Sequence, residues 1–494
     1  MDSKLFSVKT DPNKNGKTPS CPISRANGRI QTDFAGRGGR MERFMARLFG
    51  TDGVRGVAGT ELTAQMCFDI GRAAATVLTT QGKEKPRILI GRDTRISGDM
   101  INSALIAGFT SVGAIAIPLG VLPTPALAYL TREYKADAGA MISASHNPME
   151  YNGIKFFNSQ GYKLDDELEN KIEAIVRGAL HTLDLPNGAN IGTINHIGTA
   201  LDDYISYILT TVDTRLDGIK AAVDCGNGAA TFTAPSALRK LGVDCTIIHD
   251  DPNGLNINAQ CGSTHIEEVT RLVKETEADI GLAFDGDADR LIAVDERGNL
   301  VDGDRVLSIC GNYLKSQGKL AKDTIVATVM SNLGLFKMGE ANDITIQKTK
   351  VGDRYVLEKM LKNGYILGGE QSGHVIFLEH NTTGDGLITA LQLLSVMKHT
   401  GKKLSELASI MTIMPQVTVN VTIDNERKYE YIDDVEIMNA IHQVERVFEE
   451  NGRVLVRPSG TEPMIRIMIE GQNLPLMKEK ADFIADIMKR NLGA

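Results

Sequence analysis

The stretch Arg87-Ile88-Leu89-Ile90-Gly91-Arg92-Asp93 decides the fold, because a short β-branched apolar run passes directly into a polar, glycine-bearing turn. A helical pattern of apolar residues follows through Met100, Leu105 and Phe109, and a second apolar run occupies residues 114–117. Strand, turn, helix and strand in this order predict a βαβ unit in a mainly parallel sheet.

Two later stretches, residues 219–248 and 324–347, repeat this layout, and together the three copies predict three related α/β domains. The last segment differs, since residues 417–423 alternate strictly between apolar and polar, as a half-exposed antiparallel strand does. A helix over 435–448, a hairpin around Ser459 and a helix near 477–488 complete a small α+β domain.

A chain of 494 residues is too long for one hydrophobic core. We expect a disordered N-terminal extension at 1–44, followed by domains at 45–198, 199–299, 300–413 and 414–494. The extension holds nine basic and four acidic residues, without the apolar core of a secretory signal peptide. A start codon assigned too early, with Met45 opening the first strand, is favoured over a transit peptide.

The bulk composition excludes several classes of protein. A net charge of -8 argues against a nucleic-acid partner, and no apolar run is long enough to span a bilayer. The six cysteines are scattered without metal-type pairs, which predicts reduced thiols in a cytoplasmic protein.

Three aspartates alternate in Asp285-Gly286-Asp287-Ala288-Asp289-Arg290, between the apolar runs 280–284 and 291–294. In an extended loop at a strand end, alternate residues point the same way, so three carboxylates can converge on one cation, and hard oxygen ligands suit Mg²⁺. A calcium-binding EF-hand loop is the rival, because Glu296 falls at the twelfth position. Against it, Arg290 stands where the sixth position requires glycine, and the flanks are strand-like.

Ser143-Ala144-Ser145-His146-Asn147-Pro148 offers a nucleophilic hydroxyl directly after an apolar run. A serine becomes a phosphoryl acceptor when a cation and a proton-handling group lie close by. His146 is adjacent and Lys155 follows, which favours this role over a simple turn or helix N-cap.

Two further polar segments can bind an anion and a polyol. Arg457-Pro458-Ser459-Gly460-Thr461, with Arg466 beyond it, combines guanidinium forks, hydroxyls and backbone N–H groups that suit a phosphate. Residues 368–374 present Glu370, Gln371 and Ser372 between glycines, and His374 is either a proton carrier or structural. The basic loop 348–354 can meet a second anionic position.

Taken together, these segments resemble the α-D-phosphohexomutase superfamily, over nearly everything from Met45 to the C-terminus. Within it, residues 49–56, 142–146, 261–265 and the glutamine at 371 are similar to the bacterial branch that acts on glucosamine phosphates. The resemblance implies three mixed α/β domains and a C-terminal α+β domain around a central cleft. This C-terminal domain, the fourth, is expected to swing and so open and close the cleft.

The resemblance also implies a chemistry. Ser145 is expected to carry a phosphoryl group as phosphoserine, with one Mg²⁺ per subunit on Ser145, Asp285, Asp287 and Asp289. Glucosamine 6-phosphate and glucosamine 1-phosphate would interconvert through glucosamine 1,6-bisphosphate, which is also the primer, and the product would feed UDP-N-acetylglucosamine synthesis. The resemblance implies three groups of roles. The residues at the reacting end are Arg55, His146, Lys155 and Arg290. The residues that bind the sugar are Glu370, Ser372 and His374. The residues that bind the remote phosphate are Arg457, Ser459, Gly460, Thr461 and Arg466.

Three other functions stay open on the sequence. The first is a mutase for glucose or mannose phosphates, the second a catalytically idle phosphosugar sensor, and the third a Mg²⁺-dependent phosphatase. A phosphosugar is the expected partner in each case, no nucleic acid or membrane is expected, and a homodimer is left open.

Overall fold

The computed structural model describes residues 47–50, 52–78, 85–449, 451–459 and 462–493. The expected extension at 1–44 lies outside this range. Within the described residues, no helix has the length and apolar character that a membrane crossing requires. The chain from Leu48 onward forms one compact unit, built on four sheets.

The first sheet has the strand order β1-β5-β4-β2-β3, in which β2 is parallel to β3 and β4, and β5 is antiparallel to β1 and β4. Its elements are β1 (Val54–Val57), α1 (Ala64–Leu78), β2 (Arg87–Arg92), α2 (Gly98–Ser111), β3 (Ile115–Val121), α3 (Thr124–Glu133), β4 (Ala138–Ile142), β5 (Tyr151–Asn158) and α4 (Asp166–Ala174). Ile88 and Ile90 face the core beneath α1 and α2, while Leu89 packs with α3. Because both faces are covered, β2 is a continuous apolar run.

The second sheet repeats this arrangement in the order β10-β9-β8-β6-β7. Its elements are α5 (Ala200–Leu209), β6 (Lys220–Asp224), α6 (Ala234–Lys240), β7 (Asp244–Ile248), α7 (Glu267–Thr276), β8 (Ile280–Phe284), β9 (Leu291–Asp295) and β10 (Leu300–Val301). Strand β10 closes this sheet although it falls beyond the expected segment 199–299.

The third sheet has the order β12-β11-β13-β14. Its elements are α8 (Gly303–Ser316), β11 (Thr324–Thr328), α9 (Leu333–Ala341), β12 (Thr345–Thr349), α10 (Asp353–Asn363), β13 (Leu367–Gly369), β14 (Val375–Phe377), α11 (Gly386–Thr400) and α12 (Leu404–Ala408). Helix α11 is buried along most of its length, in a core shared with the second sheet.

The fourth sheet is antiparallel throughout, in the order β15-β17-β16, and has a core of its own. Its elements are β15 (Gln416–Thr422), α13 (Val435–Phe448), β16 (Arg453–Pro458), β17 (Met464–Glu470) and α14 (Leu474–Leu492). Short 3₁₀ or π segments lie elsewhere at Ile175–Ala179, Leu180–Thr182, Gly188–Asn190, Ala229–Phe232, Gly262–Thr264, Ala321–Asp323 and Glu430–Ile432.

The expectation of mainly parallel sheets is wrong for part of each α/β sheet. The first two sheets each contain two antiparallel pairs, and the third contains one. The reason is that the chain reverses through a short turn after β4, β8 and β13, instead of crossing back through a helix. These reversals are the first turn (143–150), the second turn (285–290) and the third turn (370–374).

The fourth sheet is fastened to the third domain through one buried carboxylate. Glu470, at the end of β17, accepts hydrogen bonds from Asn332 Nδ2 at 3.1 Å and from Leu333 N at 3.2 Å, where α9 begins. Arg453 pairs with the same carboxylate and donates to the carbonyl of Ser331 at 2.6 Å. A helix N-terminus favours such an anion, so this contact joins the two domains in the observed arrangement.

Asp304, in the first turn of α8, is expected to make stability depend on pH. Burial, and then the charge of Asp302, raise the pKa of Asp304 from 3.8 to about 7. The folded protein therefore holds this proton more tightly than the unfolded chain, and stability falls as pH rises between those two values. The slope approaches about 1.4 kcal/mol per pH unit.

The replacement Asp304→Asn is expected to remove that slope, because the amide has no titrating proton. In the wild type, Asn332 N donates to Asp304 Oδ2 at 2.7 Å, and the amide oxygen of the variant can accept the same hydrogen bond. Urea unfolding of both proteins across mildly acidic to mildly alkaline pH measures the difference. Parallel pH profiles for wild type and variant would contradict the assignment.

Candidate active site

The first, second and third turns meet at one cleft of about 750 Å³, which the fourth domain also lines through β16. Its lining is predominantly charged and polar, with both signs of charge. The described lining residues are Asp52, Arg55, Ser145, Lys155, Asp289, Arg290, Lys350, Val351, Gly352, Asp353, Tyr355, Glu370, His374, Tyr429, Arg457 and Pro458.

The acidic triad, Asp285, Asp287 and Asp289, converges as the alternation predicts. One oxygen from each lies within 4.8 Å of the others, and all three side chains are buried. Burial, and then the charges of Asp289 and Asp287, raise the pKa of Asp285 well above its usual range. Lys155 Nζ offsets part of the negative charge, at 3.0 Å from Asp287 and 3.5 Å from Asp289.

The triad fits a divalent cation. Asp287 Oδ1 and Asp289 Oδ1 are buried and find no hydrogen-bond partner among the residues that the structure describes. Orphaned buried carboxylate oxygens are costly unless a cation binds them. The EF-hand alternative fails, because Glu296 instead accepts from Ser405 N at 3.1 Å.

Ser145 is held against this triad in a strained backbone conformation. Its hydroxyl donates to Asp285 Oδ2 at 2.6 Å, and the side chain is only 1% exposed. Its φ of 53° lies in the left-handed region, which costs a non-glycine residue about 1–2 kcal/mol. Such strain persists where surrounding contacts fix the backbone, as they do here.

Arg95 supplies most of those contacts, and sequence reasoning missed it. Its fully buried guanidinium donates to Ser145 O at 2.9 Å and Asn147 O at 2.8 Å, and also to the carbonyls of Pro148 and Tyr151. The residue belongs to the polar turn after β2, and nothing local in that turn indicates that it reaches the first turn, about fifty residues on.

Asp93 completes the support from beneath. Its carboxylate accepts from Arg95 Nε at 2.9 Å and from Ser143 Oγ at 2.7 Å. Ser143 Oγ in turn accepts from Ser145 N at 2.9 Å. The first turn is thus held by side chains from its own domain.

The second domain holds the other side of Ser145. Asn258 Nδ2 donates to Ser145 O at 2.9 Å. Gly286 passes so close that a Cβ there would lie 2.7 Å from the same carbonyl oxygen. A glycine at this position therefore lets the first and second turns touch.

His146 and Arg290 lie beside Ser145. Arg290 Nη1 is 3.2 Å from His146 Nδ1, and because arginine can only donate, that nitrogen is the acceptor. Burial, and then the charges of Arg290 and Arg55, lower the pKa of His146 to about 4. His146 is therefore neutral here, with Nδ1 at 3.4 Å from Ser145 Oγ.

The residues expected to bind the sugar separate into two groups. Glu370 lines the cleft and accepts from Gly352 N at 3.0 Å, and His374 lines it from a buried position, with Nε2 accepting from Gly384 N at 3.0 Å. Ser372 is exposed and stands outside the described lining of the cleft. The third turn therefore aims the carboxylate and the imidazole inward.

Of the residues expected to bind the remote phosphate, Arg457 lies on β16, Ser459 directly follows that strand, and Arg466 lies on β17. Arg457 and Arg466 are direct cross-strand partners. Burial, and then the charge of Arg466, lower the pKa of Arg457, so an anion would relieve the pair. Ser459 is buried, and Lys428, which sequence reasoning missed, donates to its carbonyl at 2.6 Å. Gly460 and Thr461 lie outside the described residues.

Sequence reasoning also missed Lys163, which contacts two carboxylates that line the cleft. Lys163 pairs with Asp353 and lies 3.5 Å from Asp52, which is itself 3.1 Å from Arg55. Burial works to raise the pKa of Asp52, but the charges of Lys163 and Arg55 outweigh it and hold that pKa far below its usual value. Asp52 and Asp353 stood inside segments already singled out, whereas Lys163 had no local signal.

The sequence matches four consecutive domains of one family. These are the alpha/beta/alpha domains I, II and III of phosphoglucomutase/phosphomannomutase at residues 46–181, 202–298 and 302–414, and the C-terminal domain at 419–487. The chain therefore belongs to the phosphoglucomutase/phosphomannomutase family, which confirms the four-part architecture and the phosphohexomutase class of isomerase expected from the sequence.

Two similar proteins carry the name of one branch of this family. Proteins named phosphoglucosamine mutase from Ruminiclostridium cellulolyticum and Acetivibrio thermocellus are each 56% identical over 449 residues, which is 91% of this chain and 100% of each relative. The resemblance to the glucosamine-phosphate branch is thereby confirmed.

Solved structures share the fold. A phosphoglucomutase/phosphomannomutase family protein from Burkholderia thailandensis superposes with a TM-score of 0.75 at 24% identity, over 89% of this chain and 97% of that one. The N-acetylphosphoglucosamine mutase of Aspergillus fumigatus, in complex with GlcNAc-6P and magnesium, gives 0.64 at 17% identity, over 90% and 96% of the two chains.

Proposed function

We propose that this chain is a phosphoglucosamine mutase, which interconverts glucosamine 6-phosphate and glucosamine 1-phosphate through a phosphorylated Ser145. One observation carries the proposal: the Ser145 hydroxyl lies 2.6 Å from a carboxylate of the acidic triad, at the wall of a charged cleft. The two relatives of that name, identical at 56% of positions, support the choice of sugar.

Mg²⁺ is the cation we assign to the triad, because carboxylates and a phosphate oxygen are hard ligands. Asp285, Asp287 and Asp289 would hold it, together with the phosphate on Ser145. When bound, the cation supplies charge neutralisation for the phosphoserine and for the transferring phosphoryl group.

The cleft's own residues explain how the transfer is assisted. Burial lowers the pKa of Lys155, but the charges of Asp287 and Asp289 outweigh it and raise that pKa above its usual value. Lys155 therefore stays cationic, and with Arg290 it places positive charge beside Ser145. In phosphoryl transfer, positioning and charge stabilisation supply most of the rate.

The complete cycle returns the phosphoryl group to Ser145. The phosphoryl group leaves Ser145 Oγ for the 1-hydroxyl of glucosamine 6-phosphate, and the proton lost by that hydroxyl ends on Ser145 Oγ. The resulting glucosamine 1,6-bisphosphate turns over, presents its 6-phosphate to the same serine, and leaves as the 1-phosphate. Arg457, Ser459 and Arg466 are the residues we assign to whichever phosphate is not reacting.

Removal of the cation is expected to stop turnover, and Asp287→Asn is expected to weaken Mg²⁺ binding by at least about 100-fold. The measurement is a Mg²⁺ titration of activity after chelation and gel filtration. Glu296→Gln is the matched control, because that acidic residue bonds to Ser405 instead. Equal Mg²⁺ dependence of wild type and Asp287→Asn would contradict the assignment.

Relative kcat/KM on glucosamine, glucose and mannose 6-phosphates, with a trace of the matching bisphosphate, tests the choice of reaction. We expect glucosamine 6-phosphate to be the preferred substrate, with little release of inorganic phosphate. Preference for glucose or mannose phosphates would overturn the sugar assignment, steady phosphate release would indicate a phosphatase, and binding without turnover would indicate a sensor.

A further inference from the structure

A second cluster of metal-ligating side chains lies in the second domain, apart from the acidic triad. It comprises Asp224 at the end of β6, His249 directly after β7, and Cys261 in the segment before α7. One ligand atom from each lies within 4.8 Å of the others. Asp224 and Cys261 are fully buried, and His249 is half-buried at the rim.

The carboxylate in this cluster is fixed by backbone groups. Asp224 Oδ1 accepts from Gly226 N at 2.8 Å, and Oδ2 accepts from Gly262 N at 2.9 Å. Oδ2 retains a second lone pair for another partner, while Oδ1 also faces the imidazole of His249. The loops that follow β6 and precede α7 are therefore both attached to this carboxylate.

The imidazole is oriented with one nitrogen facing the cluster. His249 Nε2 lies 2.9 Å from Glu268 Oε2, while Nδ1 lies 3.0 Å from Asp224 Oδ1. Nδ1 is buried, and its contact with Asp224, against the effect of burial, raises the pKa of His249 above its usual value. A bound cation would take the place of the proton on this nitrogen. A carboxylate on the far nitrogen is the arrangement that orients histidine as a metal ligand.

We propose that Asp224, His249 and Cys261 form a binding site for Zn²⁺, separate from the Mg²⁺ site of the acidic triad. Thiolate, imidazole and carboxylate are the ligands that Zn²⁺ takes, whereas Mg²⁺ avoids sulfur. Three protein ligands leave the fourth tetrahedral position to water, on the exposed side of His249. On binding, the Cys261 thiol gives its proton to solvent and its sulfur forms the bond to zinc.

The pKa of the Cys261 thiol shows what a cation would have to overcome at this cluster. Burial, and then the charge of Asp224, raise the pKa of the Cys261 thiol to about 12. A bound cation reverses both effects, because it stabilises the thiolate and neutralises the carboxylate.

The position of the cluster links it to catalysis. Cys261 lies three residues after Asn258, whose side chain holds the carbonyl of Ser145. Asn258 N also donates to Gly226 O at 2.9 Å, in the loop that follows Asp224. Zinc would therefore join the two loops that support the first turn and make that support more rigid.

Metal content tests the proposal directly. Wild type and Cys261→Ser are incubated with Zn²⁺ in a large excess of Mg²⁺, passed through gel filtration, and measured for zinc by mass spectrometry. We expect wild type to retain one more zinc per chain than Cys261→Ser, and to unfold at a higher temperature with zinc than without it. Cys245→Ser is the matched control, since that thiol lies 3.5 Å from Val243 O and outside the cluster.

Cobalt substitution provides a second readout. Co²⁺ in wild type is expected to show a thiolate-to-cobalt charge-transfer band, which Cys261→Ser lacks and Cys245→Ser keeps. His249→Gln, which retains the thiol, guards against a folding defect and should also lose the zinc. Equal zinc content in wild type, Cys261→Ser and His249→Gln, or a cobalt spectrum without the thiolate band, would overturn the proposal.

Discussion

Replacing Ser145 by alanine is expected to lower the rate of sugar-phosphate interconversion at least about 10⁴-fold, because the proposed transfer passes through its hydroxyl in both directions. The loss should appear in kcat with a saturating supply of the bisphosphate primer, since the primer cannot phosphorylate a methyl group. Mg²⁺ binding by the acidic triad should persist. A coupled assay for the 1-phosphate measures the effect.

Two variants control for structural damage. Ser145→Gly lacks the nucleophile too, but glycine accepts the φ of 53° without strain, so it should be about 1 kcal/mol more stable than Ser145→Ala. Ser159→Ala changes an exposed serine just beyond β5 and should keep the wild-type rate. A Ser145→Ala enzyme within about tenfold of wild type would rule out Ser145 as the nucleophile.

Replacing Arg95 by alanine is expected to destabilise the first domain by about 3–5 kcal/mol, because it leaves the carboxylate of Asp93 buried without its cation. The variant also leaves the carbonyls of Ser145 and Asn147 without their Arg95 donors. The strained turn at Ser145 should then relax, and kcat should fall even where the protein remains folded. Urea unfolding and steady-state kinetics measure the two effects.

Arg92→Ala is the matched control for Arg95. Arg92 ends β2, three residues before Arg95, and its ion pair with Asp99 is partly exposed, at 25% and 77% for the two side chains. Exposed pairs contribute about 0–1 kcal/mol, so this variant should unfold close to wild type. Equal destabilisation by the two replacements would show that Arg95 has no special part in holding the first turn.

The strands and helices could be predicted from local sequence, because each reflects a periodic pattern or a short apolar run. Strand direction could not, since an apolar run such as Leu291–Asp295 looks the same in a parallel and an antiparallel pairing. That is why the antiparallel return after β4, β8 and β13 was missed. Each return places one turn at the edge of its own sheet, and the three turns together line the cleft.

The convergence of Ser145 with the acidic triad could also be predicted, because these residues stand in compact polar segments between apolar runs. Their supports could not. Ser145 is contacted by Arg95, about fifty positions away in sequence, and by Asn258, more than one hundred positions away. Asp353 is contacted by Lys163, nearly two hundred positions away. These partners meet only when the domains pack together, and the local periodicity of the sequence does not indicate such contacts.

Ser372 illustrates the opposite limit. Its hydroxyl lies among sugar-binding candidates in sequence, yet the third turn leaves it exposed while Glu370 and His374 face the cleft. Residue type indicates what a segment can bind, whereas the turn geometry decides which side chain reaches the ligand.

A single-turnover experiment tests the phosphoserine mechanism most directly. Protein phosphorylated by the bisphosphate is freed of small molecules, mixed with glucosamine 6-phosphate and Mg²⁺, and followed by phosphorus NMR beside Ser145→Ala. We predict that the phosphoserine signal of Ser145 falls as glucosamine 1,6-bisphosphate appears and returns as the 1-phosphate leaves, and that the variant forms neither sugar product. In a single turnover, formation of the 1-phosphate without any transient loss of the phosphoserine signal and without any bisphosphate would contradict the mechanism, as would decay of that signal only to inorganic phosphate.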